Sequence, residues 1–213
     1  MRYKAILFDM DGTLLDTLTD MADAVNHILS VHGWPLRTTE EVRAFVGNGA
    51  RRLMERAVPP EVTGSDFEAV LTEYRDWYQA HNCVATAPYP GIPALLAALA
   101  EAGVKTAVVS NKPDATTKTL AARFFPGLPA FGQRDDVPPK PAPDLVFRAL
   151  ETLGVDAADA VYVGDSEVDV ATARNAGLPL AAVSWGFRGR RALAEAGAPV
   201  IVDTAAELLE VLR

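Results

Sequence analysis

The chain has 213 residues, of which 49% are hydrophobic and 23% are charged, and its formal net charge is −8. This composition is typical of a soluble globular protein with one large domain, or one domain that carries a smaller insert. The negative charge disfavours nucleic acid and anionic lipid as partners, because the summed field repels both. Cys83 is the single cysteine, which excludes an intrachain disulfide and a multi-cysteine metal site.

The first element along the chain is a short apolar run. Residues Lys4 to Phe8 are bounded by turn residues and predict a buried strand that ends just before Asp9. This run is too short for a signal peptide or a membrane span, and no later run reaches membrane length. We therefore expect a cytoplasmic protein with no membrane partner.

Residues 16–87 carry helical patterns and no convincing strand. The amphipathic periodicity predicts four helices, over Asp20–His32, Glu40–Phe45, Ala50–Ala57 and Ser65–Asn82. The segment Pro88-Tyr89-Pro90-Gly91 after them indicates a hinge-like linker. We predict an all-helical cap domain over 16–87, inserted into a core domain formed by residues 1–15 and 88–213.

Beyond residue 88, apolar runs alternate with helical patterns. The runs predict strands at Val104–Val109, Ala160–Val163, Leu180–Val183 and Val200–Val202. The periodic segments predict helices at Ile92–Glu101, Asp114–Phe124, Asp144–Leu153, Glu167–Ala176 and Ala205–Leu212. Alternating strands and helices predict an α/β fold, with a Rossmann-like and mostly parallel sheet as its core.

Polar residues follow three of these strands, at the edge of a parallel sheet where ligands bind. Asp9 and Asp11 follow the first strand, and two carboxylates this close repel each other unless a cation or proton intervenes. Oxygen ligands favour Mg²⁺, which takes further ligands from a bound phosphate. A capped turn explains this pair equally well when the pair is considered alone.

Asp165 and Asp169 lie at another strand end, four residues apart across the start of a predicted helix. In that arrangement one carboxylate can reach an ion while the other supports it from behind. As the alternative, Asp165 is a helix cap and Asp169 is a solvated acid in the first helical turn.

Three further residues suit an anion. Ser110 and Asn111 follow the second strand and offer a hydroxyl, an amide and exposed backbone N–H groups. Lys140 is flanked by prolines in Pro138-Pro139-Lys140-Pro141, which restrict the backbone that carries its charge. A turn with a helix cap and a surface lysine are the alternative interpretations.

Together these residues resemble the four motifs of the haloacid dehalogenase superfamily. The segment Asp9-x-Asp11-x-Thr13 resembles the first motif, Ser110 the second and Lys140 the third. The segment Gly164-Asp165-Ser166-x-x-Asp169 resembles the fourth. The resemblance covers residues 6 to about 170, and the helical insert lies where this superfamily often carries a mobile cap.

The resemblance implies the roles of the site residues. Asp9 is the nucleophile that forms an aspartyl-phosphate, and Asp11 is the general acid and then the general base. Thr13 is expected to support the Asp11 loop. Mg²⁺ is held by Asp9, the backbone carbonyl of Asp11 and Asp165, with contact by Asp169 and a preference for Mn²⁺ left open. The substrate phosphate is bound by Ser110, Asn111 and Lys140.

Other reactions of the superfamily fit less well. Dehalogenases lack the second aspartate and work without metal, whereas this chain has Asp11, Asp165 and Asp169. Phosphonate hydrolases and sugar-phosphate mutases use a lysine of the cap, and this chain has no lysine between Lys4 and Lys105. A phosphatase remains, and a non-catalytic scaffold with the same fold is the alternative outside enzymes.

The substrate is indicated by the insert. The segment Phe45-Val46-Gly47-Asn48-Gly49-Ala50, with Ser110-Asn111-Lys112-Pro113, resembles phosphoglycolate phosphatases. In that interpretation the two glycines form a tight loop near the substrate, Asn48 offers an amide, and Arg51 or Arg52 binds a carboxylate. A plain turn and solvated arginines are the alternative. We expect 2-phosphoglycolate or a similar small phosphate ester, with a broader sugar-phosphate, nucleotide or pyrophosphate phosphatase as the second candidate.

Overall fold

The computed structural model describes all residues, 1–213, and its main feature is a six-stranded parallel sheet. The strands of the chain are β1 (Ala5–Phe8), β2 (Leu15–Asp16), β3 (Ala87–Pro88), β4 (Lys105–Pro113), β5 (Ala130–Gln133), β6 (Ala160–Gly164), β7 (Leu180–Val183) and β8 (Ile201–Val202). The order in the sheet is β5-β4-β1-β6-β7-β8, and every neighbouring pair is parallel. The predicted α/β fold with a Rossmann-like core is confirmed.

Helices cover both faces of this sheet and form a separate helical segment. They are α1 (Leu18–Val31), α2 (Thr39–Phe45), α3 (Gly49–Ala57), α4 (Gly64–His81), α5 (Ile92–Glu101), α6 (Asp114–Phe124), α7 (Asp144–Leu153), α8 (Glu167–Ala176), α9 (Gly189–Glu195) and α10 (Ala205–Leu212). No helix has both the length and the apolar character that a bilayer crossing requires. Helix α9 and strand β5 are both short and were not predicted from the sequence.

The central strand β1 is fully buried and separates two apolar clusters. Ile6 and Phe8 lie in the cluster on one side of the sheet, and Ala5 and Leu7 lie in the cluster on the other. Side chains of a strand point alternately to opposite faces, so a strand covered on both faces is apolar at every position. This explains why a continuous apolar run, without alternation, marks β1 in the sequence.

Helices α1 to α4 pack around a third apolar cluster of 18 buried residues, all of which lie between Leu18 and Tyr78. The observed helices match the four predicted ones to within two residues at each end. The chain enters and leaves this helical segment through an antiparallel pair, β2 with β3, in which Leu15 faces Pro88. That pair was not predicted from the sequence, and the domain boundaries remain a prediction.

Asp20, near the start of α1, connects the segment that enters the helical segment to the segment that leaves it. Its carboxylate is 1% exposed and accepts hydrogen bonds from the backbone N–H groups of Val84, Ala85 and Thr86, at 3.0, 2.8 and 2.9 Å. A buried carboxylate is costly unless donors satisfy it, and three N–H groups do so here. Asp20 therefore holds the start of α1 against residues Val84 to Thr86, which lead back to the sheet.

Candidate active site

The carboxyl ends of β1, β4 and β6 bring the predicted site residues to one edge of the sheet. Asp9 directly follows β1, and its N–H donates to the carbonyl of Val163 in β6 at 2.8 Å. Asp165 directly follows β6 and is 2% exposed. Parallel strands end at a common edge, which explains why residues distant in sequence lie together here.

Lys140 lies between two of the carboxylates. Its Nζ is 2.9 Å from Asp9 Oδ1 and 2.8 Å from Asp169 Oδ1, and it donates to the hydroxyl of Tyr162 at 3.0 Å. The side chains of Lys140 and Asp169 are only 2% and 1% exposed. Charged groups this deeply buried need close partners, and this lysine has them on two sides.

Asn111 holds the backbone of Lys140. The N–H of Lys140 donates to Asn111 Oδ1 at 2.7 Å, and Asn111 Nδ2 donates to the Lys140 carbonyl at 3.0 Å. The same Nδ2 donates to the carbonyl of Gly47, in the helical segment, at 3.2 Å. The side-chain amide of Asn111 is therefore hydrogen-bonded to the backbone of Lys140 and Gly47. Asn111 also lines the cavity described below.

Asp165 is enclosed by the backbone around it. Its carboxylate accepts from the N–H of Phe187 at 2.7 Å and from the hydroxyl of Thr13 at 3.3 Å. A Cβ at either Gly12 or Gly186 would come within 2.3 Å of Asp165 Oδ2. Gly12 also has φ +83°, where a side chain is strained. Thr13, which is expected to support the Asp11 loop, thus also connects that loop to Asp165.

Oxygen atoms of Asp9, Asp165 and Asp169 lie within 4.8 Å of one another. Burial raises the pKa of Asp9 to about 7, and the charges of Asp169 and Asp11 add to this increase while the Lys140 ammonium opposes it. Burial and the neighbouring carboxylates likewise hold the pKa of Asp165 well above its usual range. Three buried carboxylates lie close together and Lys140 contacts only Asp9 and Asp169, so this all-oxygen site fits a divalent cation such as Mg²⁺.

Asp169 differs from the other two carboxylates. Its Oδ1 pairs with Lys140, and its Oδ2 accepts from the hydroxyl of Ser166 at 2.6 Å and from the Ser166 N–H at 3.1 Å. Both oxygens are therefore engaged by protein donors. Asp165 accepts only one hydrogen bond at each oxygen, from Thr13 and Phe187, and Asp9 contacts only Lys140, so Asp9 retains the most free acceptor capacity of the three.

Asp11 pairs with a lysine to which the sequence analysis gave no role. Lys112 Nζ is 3.0 Å from Asp11 Oδ1, and it donates to the hydroxyl of Tyr78 in α4 at 2.9 Å. The hydroxyl of Thr17 donates to the same Asp11 oxygen at 2.7 Å. Lys112 is at a strand end beside Ser110 and Asn111, which is the signal that could have identified it.

A cavity of about 360 Å³ separates the sheet edge from the helical segment. Its sheet side presents Asp9, Asp11 and Asp165 with Lys112 and Lys140. Its helical side is mainly apolar and aromatic and includes Met21, Val46, Leu53, Tyr74 and Tyr78. The helical segment contains no lysine, but β4 contributes Lys112 to the cavity from the opposite wall.

Gly47 and Gly49 line this cavity, but the structure does not bring Asn48, Arg51 or Arg52 to it, which corrects the expectation for these three side chains. Asn48 accepts from Arg56, Arg51 makes two hydrogen bonds of 2.8 Å to Glu68, and Arg52 bonds Glu55 at 2.7 Å. Arg51 and Arg52 follow the alternative interpretation of solvated helix arginines, because Glu68 and Glu55 lie within their reach.

Arg75 and Arg188 line the cavity in their place. Arg75 belongs to α4 and is exposed at the rim, and none of the ion pairs of the helical segment involves it. Arg188 follows β7, pairs with Glu167 at 3.0 Å, and donates to the carbonyl of Arg43 at 2.8 Å. The contact with Arg43 spans 145 residues, so no local sequence pattern marks Arg188 as a residue of this cavity.

Comparison with known proteins agrees with this geometry. The model of the haloacid dehalogenase-like hydrolase family matches residues 6–183. An N-acetylmuramic acid 6-phosphate phosphatase of Pseudomonas aeruginosa is 36% identical over 221 residues, covering 100% of this chain and 96% of the relative. A phosphoglycolate phosphatase of Pseudomonas savastanoi pv. phaseolicola is 35% identical over 217 residues, covering 97% of this chain and 78% of the relative.

A crystal structure from Lactobacillus delbrueckii subsp. bulgaricus superimposes with a TM-score of 0.94. It is 38% identical in sequence and covers 100% of this chain and 99% of that one. Its assignment as a phosphoglycolate phosphatase is itself a prediction. The likeness extends over the sheet and the helical segment together, so the whole architecture is shared.

Proposed function

The chain belongs to the haloacid dehalogenase-like hydrolases and is a phosphoric monoester hydrolase, and we propose that it hydrolyses small phosphorylated metabolites through Asp9 with Mg²⁺ as cofactor. One observation carries this proposal: Asp9, Asp165 and Asp169 converge with Lys140 at the floor of the cavity. We place this activity in the cytoplasm, with no nucleic acid or membrane partner.

The proposed reaction has two displacements at phosphorus. A carboxylate oxygen of Asp9 attacks, the bond from phosphorus to the ester oxygen breaks, and that oxygen takes a proton from Asp11. Asp11 then removes a proton from water, whose oxygen attacks phosphorus and breaks the bond to Asp9. Inorganic phosphate leaves, and both aspartates return to their starting states.

The remaining residues hold charge and position. Bound Mg²⁺ supplies neutralisation of the transferring phosphoryl group, and its proposed protein ligands are Asp9, Asp165 and the backbone carbonyl of Asp11. The ammonium of Lys140 counters charge beside Asp9, and Asp169 keeps that ammonium in place. Ser110 accepts from the N–H of Lys112 at 3.2 Å, which leaves its own hydroxyl hydrogen free for a phosphate oxygen.

The substrate we propose carries a carboxylate as well as a phosphate. 2-Phosphoglycolate is the first candidate, and N-acetylmuramic acid 6-phosphate is the second because a two-carbon acid fills only part of a cavity of about 360 Å³. Both are acids, and a second negative group needs a cation beyond Lys140. Arg75, unpaired at the rim, is the residue we assign to that carboxylate.

Phosphate release from p-nitrophenyl phosphate, with and without Mg²⁺, tests the reaction. A panel of 2-phosphoglycolate, N-acetylmuramic acid 6-phosphate, simple sugar phosphates, nucleotides and pyrophosphate then tests the substrate. We expect Mg²⁺-dependent release, with the highest kcat/KM on a substrate that contains a carboxylate. Arg75→Gln should raise the KM for that substrate about tenfold, which corresponds to a loss of about 1.4 kcal/mol of binding free energy. The KM for p-nitrophenyl phosphate, which has no carboxylate, should not change.

Arg51→Gln is the matched control, because Arg51 is also an arginine of the helical segment but lies away from the cavity. It should change neither KM nor kcat. Absence of phosphate release with every divalent metal would favour the scaffold alternative. Equal effects of the two arginine substitutions would remove the assignment of Arg75.

A further inference from the structure

Lys112 is a buried cation between the sheet edge and the helical segment. Its side chain is 3% exposed, and its Nζ contacts Asp11 Oδ1 at 3.0 Å and the Tyr78 hydroxyl at 2.9 Å. Its backbone is held too, since its N–H donates to Ser110 and its carbonyl accepts from Thr117 at 3.1 Å. A lysine this deeply buried, with a fixed backbone, has little freedom to take another position.

The two carboxylate oxygens of Asp11 have different surroundings. Oδ1 accepts from the hydroxyl of Thr17 at 2.7 Å and pairs with Lys112 at 3.0 Å. Oδ2 accepts no hydrogen bond from the protein, and Asp11 lines the cavity. The surroundings therefore distinguish one anchored oxygen from one that is free for a ligand.

We propose that Lys112 is a positioning residue for proton transfer by Asp11. This inference rests on the proposed function, in which Asp11 is the general acid and base. Lys112 holds Oδ1, so that Oδ2 carries the proton to the ester oxygen and later receives a proton from water. Lys112 keeps its own three protons throughout, and its charge stabilises the Asp11 carboxylate that exists between the two steps.

Tyr78 links this arrangement to the helical segment. The hydroxyl oxygen of Tyr78 is the second acceptor for Lys112, and it comes from α4 on the opposite side of the cavity. The position of α4 therefore determines one of the two contacts that place the ammonium. Loss of that hydroxyl should weaken the anchoring of Asp11 without removing the charge of Lys112.

The leaving group provides the test, because phenoxide needs a proton on departure far more than p-nitrophenoxide does. The ratio kcat/KM covers the steps up to the departure of that group, so later hydrolysis of the phosphorylated enzyme does not enter it. Lys112→Met should lower kcat/KM about 100-fold on phenyl phosphate and less than about fivefold on p-nitrophenyl phosphate, within the range of general acid catalysis.

Lys118→Met is the matched control, since Lys118 is 58% exposed and pairs with Asp114 on the same helix. It should leave both substrates unchanged. Tyr78→Phe should reproduce the selective loss on phenyl phosphate at a smaller size. If Lys112→Met does not fold, Tyr78→Phe decides the question, because an equal effect on both substrates would overturn the proposal.

A double substitution separates this inference from the proposed function. Asp11→Asn alone should show the selective loss on phenyl phosphate, and Lys112→Met should add no further selectivity in that background. If Asp11→Asn is selective but Lys112→Met lowers both substrates equally, the positioning role is wrong and the acid role of Asp11 stands. If Asp11→Asn is not selective, the acid role fails, and the role of Lys112 fails with it.

Discussion

The two walls of the cavity place their charges in opposite ways. At the sheet edge the ion pairs of Lys140 are buried, with side chains only 1 to 12% exposed. In the helical segment the pair of Arg51 and Glu68 is 48% and 56% exposed, and the wall that faces the cavity is mainly apolar and aromatic. The sheet edge thus presents the charged side chains to the cavity, and the helical segment presents mainly apolar and aromatic side chains that define its shape.

This difference has energetic consequences. Removing one partner of a buried pair leaves a charge without compensation, whereas an exposed pair is screened by water and contributes little. At the sheet edge the four carboxylates of Asp9, Asp11, Asp165 and Asp169 also outnumber the two lysines, Lys112 and Lys140, so that wall is suited to a metal ion and a phosphate. The helical wall has no comparable excess of charge.

The largest expected effect is on turnover, at the charged wall. Asp9→Asn removes the nucleophile, so we expect steady-state phosphate release to fall by at least about 10⁴-fold, as for the loss of nucleophiles in other enzymes. The substitution is nearly isosteric, and circular dichroism should show an intact fold. More than a trace of activity in this variant, after contamination is excluded, would overturn the assignment of Asp9.

A second prediction compares the two kinds of ion pair directly. At pH 8, Lys140→Met should lower the free energy of unfolding by about 3 to 5 kcal/mol, because buried carboxylates lose their counterion. Arg51→Gln should lower it by less than about 1 kcal/mol, since its pair with Glu68 is exposed. Urea denaturation of both variants measures the difference, and similar losses would contradict the contrast between the walls.

The smallest expected effect is a dependence of stability on pH. Burial raises the pKa of Asp9 to about 7, so the folded protein retains a proton that the unfolded chain releases. In the metal-free protein this contribution to stability is present at low pH and is lost as the pH rises through about 7. Thermal unfolding in EDTA between pH 5 and 8 should show this fall, and Asp9→Asn should reduce it.

Added Mg²⁺ provides the complementary measurement. It should raise the Tm more at pH 8 than at pH 6, because the ionised carboxylates bind the cation and the protonated ones do not. Asp165 contributes to the same trend, since its pKa is also raised by burial. If the Tm in EDTA falls equally with pH in the native protein and in Asp9→Asn, Asp9 does not titrate between pH 5 and 8.

Much of the fold was predictable because its signals are local. The apolar runs identified β1, β6 and β7, and helical periodicity predicted the observed bounds of α7 and α8. Strand β5 was missed because it is a four-residue edge strand that is mostly only half-buried. Its sequence therefore lacks the continuous apolar run that identifies a central strand.

The residues of the candidate site that lie at strand ends could also be predicted from the sequence. Asp9 and Asp165 each directly follow a strand, and the ends of parallel strands share one edge of a sheet. Ser110 was predicted to follow a strand that ends at Val109, but β4 continues to Pro113 and Ser110 lies within its last four residues. Helical periodicity, in contrast, defines which residues of α4 share a face but not what that face meets. Arg51 or Arg52 of α3 was expected to bind the substrate carboxylate, with solvated arginines as the alternative, whereas α4 lines the cavity with Tyr74, Arg75 and Tyr78.

The sequence by itself determined the order of strands and helices and the residues that follow each strand, since these depend on neighbours a few positions away. Only the tertiary structure decided that Lys112 pairs with Asp11 and Tyr78, and that Arg188 reaches the carbonyl of Arg43. Those contacts join segments 34 to 145 residues apart. They depend on how the helical segment packs against the sheet edge, and side-chain packing between distant segments leaves no periodic pattern in the sequence.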